Sequence, residues 1–310
     1  MTERTAPIPA APAAARSDDR LGLLLLASIT LFWGVNWPAM KLAVAEVPVW
    51  SFRTICLVAG GLGLLAICRL GRLKLAVPRA ELWPLVLVSF FNITGWHLFS
   101  AFGLVYMPAG RASIVAFTMP LWAALLAVPI LHERLSWSTI AGLGVGMIGM
   151  GVLVVPDWQA IAAAPLGIVF MLLAALSWAT GTVLLKRFRW SMPTSVLAGW
   201  QLLLGGLPVI VGAVVLDRGF DPLAVSGTAW AATLYAALIP MIYCHWAWFR
   251  VVGIYPAAVA AIGTLAIPVL GVLSSSLALG EPVGLDIVLS LVLVIAGLVL
   301  VLILPSLRRR

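Results

Sequence analysis

Two histidines, His97 and His245, stand deep inside apolar runs, each among a few other polar or amphipathic side chains. Asn92, Thr94, Trp96 and Ser100 surround the first, and Tyr243 and Trp246 the second. Two further runs carry Thr30, Trp33, Asn36 and Trp37, and Ser177, Trp178, Thr180 and Thr182. In hydrocarbon a polar side chain costs several kcal/mol unless it bonds across helices or lines a cavity, so these residues mark the best candidates for a site. An imidazole at that depth can meet a carboxylate or relay a proton. Its bland alternative is a histidine bonded between helices. Arg53 offers a fixed positive counter-charge, or else snorkels to the interface a few residues away. Helical spacing places Trp33, Asn36 and Trp37 on one face, and Trp96 with Ser100 on another, with His97 one step around. Trp33, Trp96 and Trp178 suit a binding wall or plain packing, whereas Trp50, Trp83, Trp137, Trp158 and Trp190 lie near run ends as interfacial anchors.

The chain that must position these residues is too apolar for water: 63 % of its 310 residues are hydrophobic and 10 % charged, with mean hydropathy +1.12. A soluble fold carries about a quarter of its residues charged. Ten apolar runs approach the ~20 residues that cross a bilayer. They are Leu21 to Met40, Val49 to Cys68, Leu82 to Tyr106, Ala109 to Leu131 and Trp137 to Val155, then Leu166 to Leu185, Pro193 to Leu216, Thr228 to Phe249, Pro256 to Ala278 and Gly284 to Leu304. None alternates polar and apolar, which argues against a β-barrel. The expected fold is an all-α integral membrane protein of ten transmembrane helices. Residues 1–20, rich in Ala and Pro, read as a disordered cytoplasmic tail, and 305–310 as a basic cytoplasmic C-terminus.

With both termini in the cytoplasm, fifteen of the nineteen Lys and Arg residues fall inside, and only Lys41, Arg111 and Arg218 fall outside. That asymmetry is the positive-inside signal. The net charge of +8 is therefore read as a topology signal and not as a nucleic-acid surface. The first run is too long for a usual secretory signal and reads as retained. Cys56, Cys68 and Cys244 all lie within runs and are odd in number, which speaks against a disulfide framework. No metal-ligand spacing and no cofactor motif is present, so neither a metal nor a cofactor is expected.

The sequence repeats itself. A shift of 145 residues aligns Trp33 with Trp178, Lys41 with Lys186, Pro48 with Pro193 and Gly60-Gly61 with Gly205-Gly206. A shift of 148 then aligns His97 with His245, Pro108 with Pro256, Pro120 with Pro268 and Glu133 with Glu281. Residues 21–155 and 166–304 thus form two five-helix repeats. Five is odd, so the second must enter the membrane from the opposite face, the arrangement that supports alternating access. Pro120 and Pro268 stand in mid-run, where a missing N–H frees a carbonyl one turn earlier and can shape a gate or simply make a static kink.

Two motif matches fail on context. Gly144-Val145-Gly146-Met147-Ile148-Gly149 fits the dinucleotide fingerprint letter for letter but lies in an apolar run with no preceding strand. With Gly142 it reads instead as a small-residue stripe for close helix packing. His132-Glu133-Arg134 is not a zinc-protease motif, and no Walker A sequence occurs.

Phe32 to Trp37 (FWGVNW), Ala116 to Trp122 (AFTMPLW), His132 to Trp137 (HERLSW) and Ala278 to Pro282 (ALGEP) resemble the drug/metabolite transporter superfamily, in its ten-helix group with two EamA-type repeats. Within it the chain is most similar to YddG-type amino-acid exporters. The resemblance implies a central cavity lined from the first, third, fourth and sixth helices, matching Trp33, Asn36, Trp96, His97, Ser100, Phe117, Met119 and Trp178. Ser100 and Met119 stand where strict aromatic exporters would be expected to carry tyrosine or tryptophan, which implies a broader amino-acid range. The resulting expectation is a bacterial inner-membrane exporter, not an enzyme, that works as a monomer among lipids on a small amino-acid substrate. His245 joins the expected binding residues as the repeat partner of His97, and Pro120 and Pro268 are the expected gates. Efflux of amphiphilic or cationic compounds is the alternative, disfavoured because no carboxylate lies in mid-run. An intramembrane enzyme would need a deep nucleophile, carboxylate pair or metal set, and none is found.

Overall fold

A computed structural model describes residues 13–132, 137–154, 165–254 and 266–300. Within them the chain forms α1 (Ala13–Val44), α2 (Val49–Leu70) and a continuous helical run made of α3 (Arg79–Ser89), a π-helical turn (Phe90–Gly95) and α4 (Trp96–Tyr106). Then follow α5 (Ala109–Ala116), α6 (Met119–Leu131), α7 (Trp137–Val154), α8 (Leu166–Arg187) and α9 (Thr194–Leu216). A second composite run comprises α10 (Gly227–Leu238), another π-helical turn (Ile239–Cys244) and α11 (His245–Ile254), and α12 (Ile267–Leu279) and α13 (Leu285–Leu298) close the described chain. Among the described residues seven helical stretches are long and apolar enough to cross a membrane, and three apolar helices are shorter, Trp137–Leu153, Ile267–Leu279 and Leu285–Leu298.

Prolines start many of these elements. α2, α3, α5 and α9 each begin on the residue after one, at Pro48, Pro78, Pro108 and Pro193. A proline steers the residue before it away from helical geometry, so the connection ends and the new helix begins there. Two differences from the sequence reading stand out. α1 begins at Ala13, inside the stretch read as a disordered tail. The fourth run is not one helix, because Phe117 and Thr118 form a break between α5 and α6. The beginning of the ninth expected run, the end of the tenth and Glu133 lie outside the described residues.

The packing carries the duplication into space. α2 packs on α9, its own repeat partner, and α7 on α13. Other contacts between halves come in exchanged pairs: α1 against α12 mirrors α8 against α6, and α1 against α10 and α11 mirrors α8 against the α3–α4 run. At the α2–α9 crossing, Gly61 faces Leu203, Gly206 faces Leu57 and Gly199 faces Leu65. Rising numbers on one helix meet falling numbers on the other, so the two repeat partners run antiparallel. α7 and α13 do the same, with Gly149 against Leu293 and Gly297 against Gly142 and Gly146. Gly297 has to be glycine for this approach, because a Cβ there would sit 2.7 Å from the Gly142 carbonyl oxygen and 2.8 Å from the Gly146 nitrogen. Without a hydrophobic drive between helices in lipid, such close backbone contact and inter-helix hydrogen bonds hold the bundle. The small-residue stripe is thus a packing surface.

Candidate central site between the repeats

The two histidines each follow a π-helical turn. Phe90–Gly95 ends two residues before His97, and Ile239–Cys244 ends directly before His245. A π turn widens the helix and loosens its hydrogen-bond ladder, a feature concentrated at functional sites. Here a loosened carbonyl is met from a neighbouring helix, Ser177 Oγ donating to the Phe91 carbonyl at 2.8 Å, and the turn's own Thr94 Oγ1 donates to the Gly205 carbonyl of α9 at 2.6 Å. In the other half His245 Nδ1 lies 2.8 Å from the Pro240 carbonyl. A carbonyl only accepts, so this contact places the ring proton on Nδ1 and leaves Nε2 as an acceptor in the neutral ring.

His97 is buried and its Nδ1 has no hydrogen-bond partner among the described residues. Arg53 lies against it, with Nε 2.7 Å from the His97 carbonyl. Asn36 and Asn92 are buried too, each with an unpartnered Oδ1. Unmet polar atoms at depth call for an explanation, and a ligand is one that the surrounding aromatic groups also fit. Trp33 meets the His245 ring edge-on at 6.0 Å and Trp248 at 6.0 Å. Its repeat partner Trp178 meets Trp96 at 5.3 Å. Two half-buried aromatic walls, one from α1 with α11 and one from α8 with α4, are therefore related by the same exchange that relates the histidines.

The other expected residues are placed as follows. Ser100 is buried beside His97, accepting from Arg53 Nη2 at 2.9 Å and donating to the His97 carbonyl at 3.3 Å. Arg53 is 1 % exposed, and its Nε donates to the His97 carbonyl at 2.7 Å. It points into the bundle, which sets aside the snorkelling alternative. Phe117 packs against the same core as Trp96 but makes no ring-to-ring contact among the described residues. Met119 opens α6, half-buried. Pro120 and Pro268 each sit in the first turn of a described helix, α6 and α12, where a missing N–H costs nothing. The turn at Phe117–Thr118, half-buried at its first residue and buried at its second, keeps its backbone bonded, Phe117 N to the Ser113 carbonyl and Thr118 N to the Val115 carbonyl. The π turns escaped the sequence reading, although Asn92-Ile93-Thr94-Gly95 and Pro240 are poor helix formers that hint at them.

Polar ties also fasten the ends of the bundle. The Glu281 carboxylate accepts from the Ala109 and Gly110 nitrogens at 2.7 and 2.8 Å, capping the free N–H groups at the start of α5. Arg111 pairs with Asp286 at 3.2 Å. Lys41 donates to the carbonyls of Leu104 and Met107 at the end of α4. Glu46 accepts from Ser226 N and Oγ, both at 2.7 Å, and these bonds hold its carboxyl below the usual carboxylate range. Glu81 receives the same two groups of Ser191 near the start of α3.

An all-helical, multi-pass bundle with two exchanged halves and a polar, aromatic centre defines the protein as a membrane transporter of the two-repeat class. The EamA-like transporter family matches residues 20–155 and again 165–303, and the chain belongs to that family. It is 31 % identical to the uncharacterized transporter YvbV of Bacillus subtilis, over 90 % of each chain. It is 27 % identical to a probable amino-acid metabolite efflux pump of Escherichia coli, over 91 % of this chain and 94 % of that one. A probable terminal-alkyne amino-acid exporter of Streptantibioticus cattleyicolor is likewise 27 % identical, over 83 % and 84 %. A solved crystal structure, 23 % identical, superposes with a TM-score of 0.62 over 91 % of this chain and 98 % of its own, a likeness of fold.

Proposed function

We propose that the protein exports amino acids, aromatic ones and a broader range beside them, across the bacterial inner membrane. Ten transmembrane helices in two inverted five-helix repeats rock about the central site, with both termini in the cytoplasm. The antiparallel packing of α2 on α9 and of α7 on α13 supports the inversion. The carrying observation is the pair of deep histidines behind π turns, His97 buried and His245 half-buried, together with the matched tryptophan walls and the unmet amide oxygens of Asn36 and Asn92. Trp33, Trp96, Phe117 and Trp178 enclose the substrate side chain. Asn36, His97, Ser100 and His245 meet its amino and carboxylate groups, with Met119 at the break beside them. Pro120 and Pro268 start the helices that swing as gates. The carrier works as a monomer in lipid. Relatives named as amino-acid efflux pumps and an amino-acid exporter lend the substrate class further support.

Counterflow in proteoliposomes with a mixed panel of labelled amino acids, with and without a pH gradient, tests this reading. Wild-type protein exchanges aromatic amino acids, and His97→Ala abolishes that exchange while its folded yield stays intact. Exchange by His97→Ala at the wild-type rate would end the assignment of the site.

A further inference from the structure

Arg53 is a buried charge that the transport reading does not yet use. Among the described residues its guanidinium reaches neutral partners: the His97 carbonyl at 2.7 Å, Ser100 Oγ at 2.9 Å and Met40 Sδ at 3.3 Å, with the Phe52 ring 5.0 Å beneath it. Among the described residues no carboxylate faces it. Glu46, Glu81, Asp217, Asp221, Glu281 and Asp286 lie at helix ends or in connections, and each already accepts hydrogen bonds there. A buried charge without a counter-ion is costly in a membrane protein and is a functional marker by default. The second repeat has no equivalent, since the position 145 residues on is Ala198. The positive charge is therefore one-sided, and it stands directly behind the His97 and Ser100 side of the central site. In a medium of low dielectric its field extends across that site.

Resting on the reading of that site as an amino-acid pocket, we infer that Arg53 sets its charge preference: it favours a substrate that presents a carboxylate and excludes one whose net charge is positive. The field also orients the substrate, drawing the carboxylate towards the first repeat and leaving the side chain to the tryptophan walls.

The test is competition against counterflow of labelled phenylalanine in proteoliposomes. 3-Phenylpropionate keeps the carboxylate and lacks the ammonium, whereas phenylalaninamide keeps the ammonium and lacks the carboxylate. The expected result for the wild type is inhibition by the first at a concentration at least about tenfold lower than by the second. Arg53→Gln shrinks that ratio by about tenfold, and Arg53→Lys, which retains the charge but not the two-pronged bonding, keeps the ratio while raising KM. A wild-type ratio near one overturns the inference whatever the variants do. So does an unchanged ratio in Arg53→Gln, or a lost ratio in folded Arg53→Lys. If no amino acid shows counterflow, the functional reading falls and takes this inference with it; amino-acid counterflow with the wrong ratio removes this inference alone.

Discussion

The first repeat and the second share a scaffold but only some of their charges. Gly60 of α2 packs against Met241, and its partner Gly205 of α9 packs against Ile93, which is itself the repeat counterpart of Met241. The contact is the same one made twice. The inter-half clamps are also paired, but with roles exchanged: in one the acid is Glu46 before α2 and the serine opens α10, and in the other the serine is Ser191 before α9 and the acid is Glu81 in α3. Beyond these, the first repeat contributes Arg53 and Arg111, whose counterparts are Ala198 and Val259, and Asp286 corresponds to Ser138. Packing that the halves must share for the bundle to close has been kept. Charges that act on one face or one side of the site have diverged, because nothing in the exchange symmetry requires both.

The largest expected effect comes from breaking the shared crossing. Gly60→Ala and Gly205→Ala should each cost about 1–3 kcal/mol of stability, read as a lower midpoint of thermal unfolding in detergent. Gly205→Ala should be the worse, since the new Cβ meets Ile93 Cβ at 2.5 Å and the Ser89 carbonyl oxygen at 2.7 Å, whereas at Gly60 the one close atom is Met241 Cβ at 2.7 Å. Equal loss in Gly151→Ala, where nothing lies within 4 Å, would show that the crossing is not special.

Next comes Glu281→Ala, which uncaps α5 and should lower stability by about 1–2 kcal/mol. Asp286→Asn should do less, at most about 1 kcal/mol, because its pair with Arg111 is partly exposed. That small loss should fade further as salt is raised, and a loss larger than that of Glu281→Ala would reverse the ranking of cap over ion pair.

The smallest effect concerns Glu46, whose carboxyl is held below its ordinary value of 4.5 by Ser226. A lowered carboxyl stabilises the fold above its unfolded value, and that stability is lost as pH falls through the folded value. Wild type and Glu46→Gln should therefore differ in unfolding midpoint near neutral pH and converge in acid below about pH 4.5. A gap that widened on acidification would contradict the clamp.

Much of the fold is legible as hydropathy, because a segment that crosses lipid must be apolar along its whole length. The duplication is legible for a related reason: partner residues such as Pro48 and Pro193 begin equivalent helices in both halves. The candidate site was legible only in part. Deep polar residues announce themselves by their cost, which singled out His97, His245 and Asn36, but the sequence offered two fates for Arg53 and could not choose between them. A long, flexible side chain one turn from a helix end reaches equally far towards water or into the bundle, and the choice depends on acceptors that belong to another helix. Pro120 shows the same limit, since one residue alone does not tell a kinked helix from the start of a new one.

The amino-acid order by itself determined the lipid setting, the two copies and the list of polar residues that had to be accommodated, because each is a property of local composition or of self-similarity. Only the tertiary structure decided that the copies lie antiparallel against each other, that π turns present the histidines, and that Arg53 turns inward to a carbonyl. Those outcomes depend on groups distant in the chain meeting in space: a glycine against a facing backbone, a serine against a loosened carbonyl, a guanidinium against the neighbouring helix.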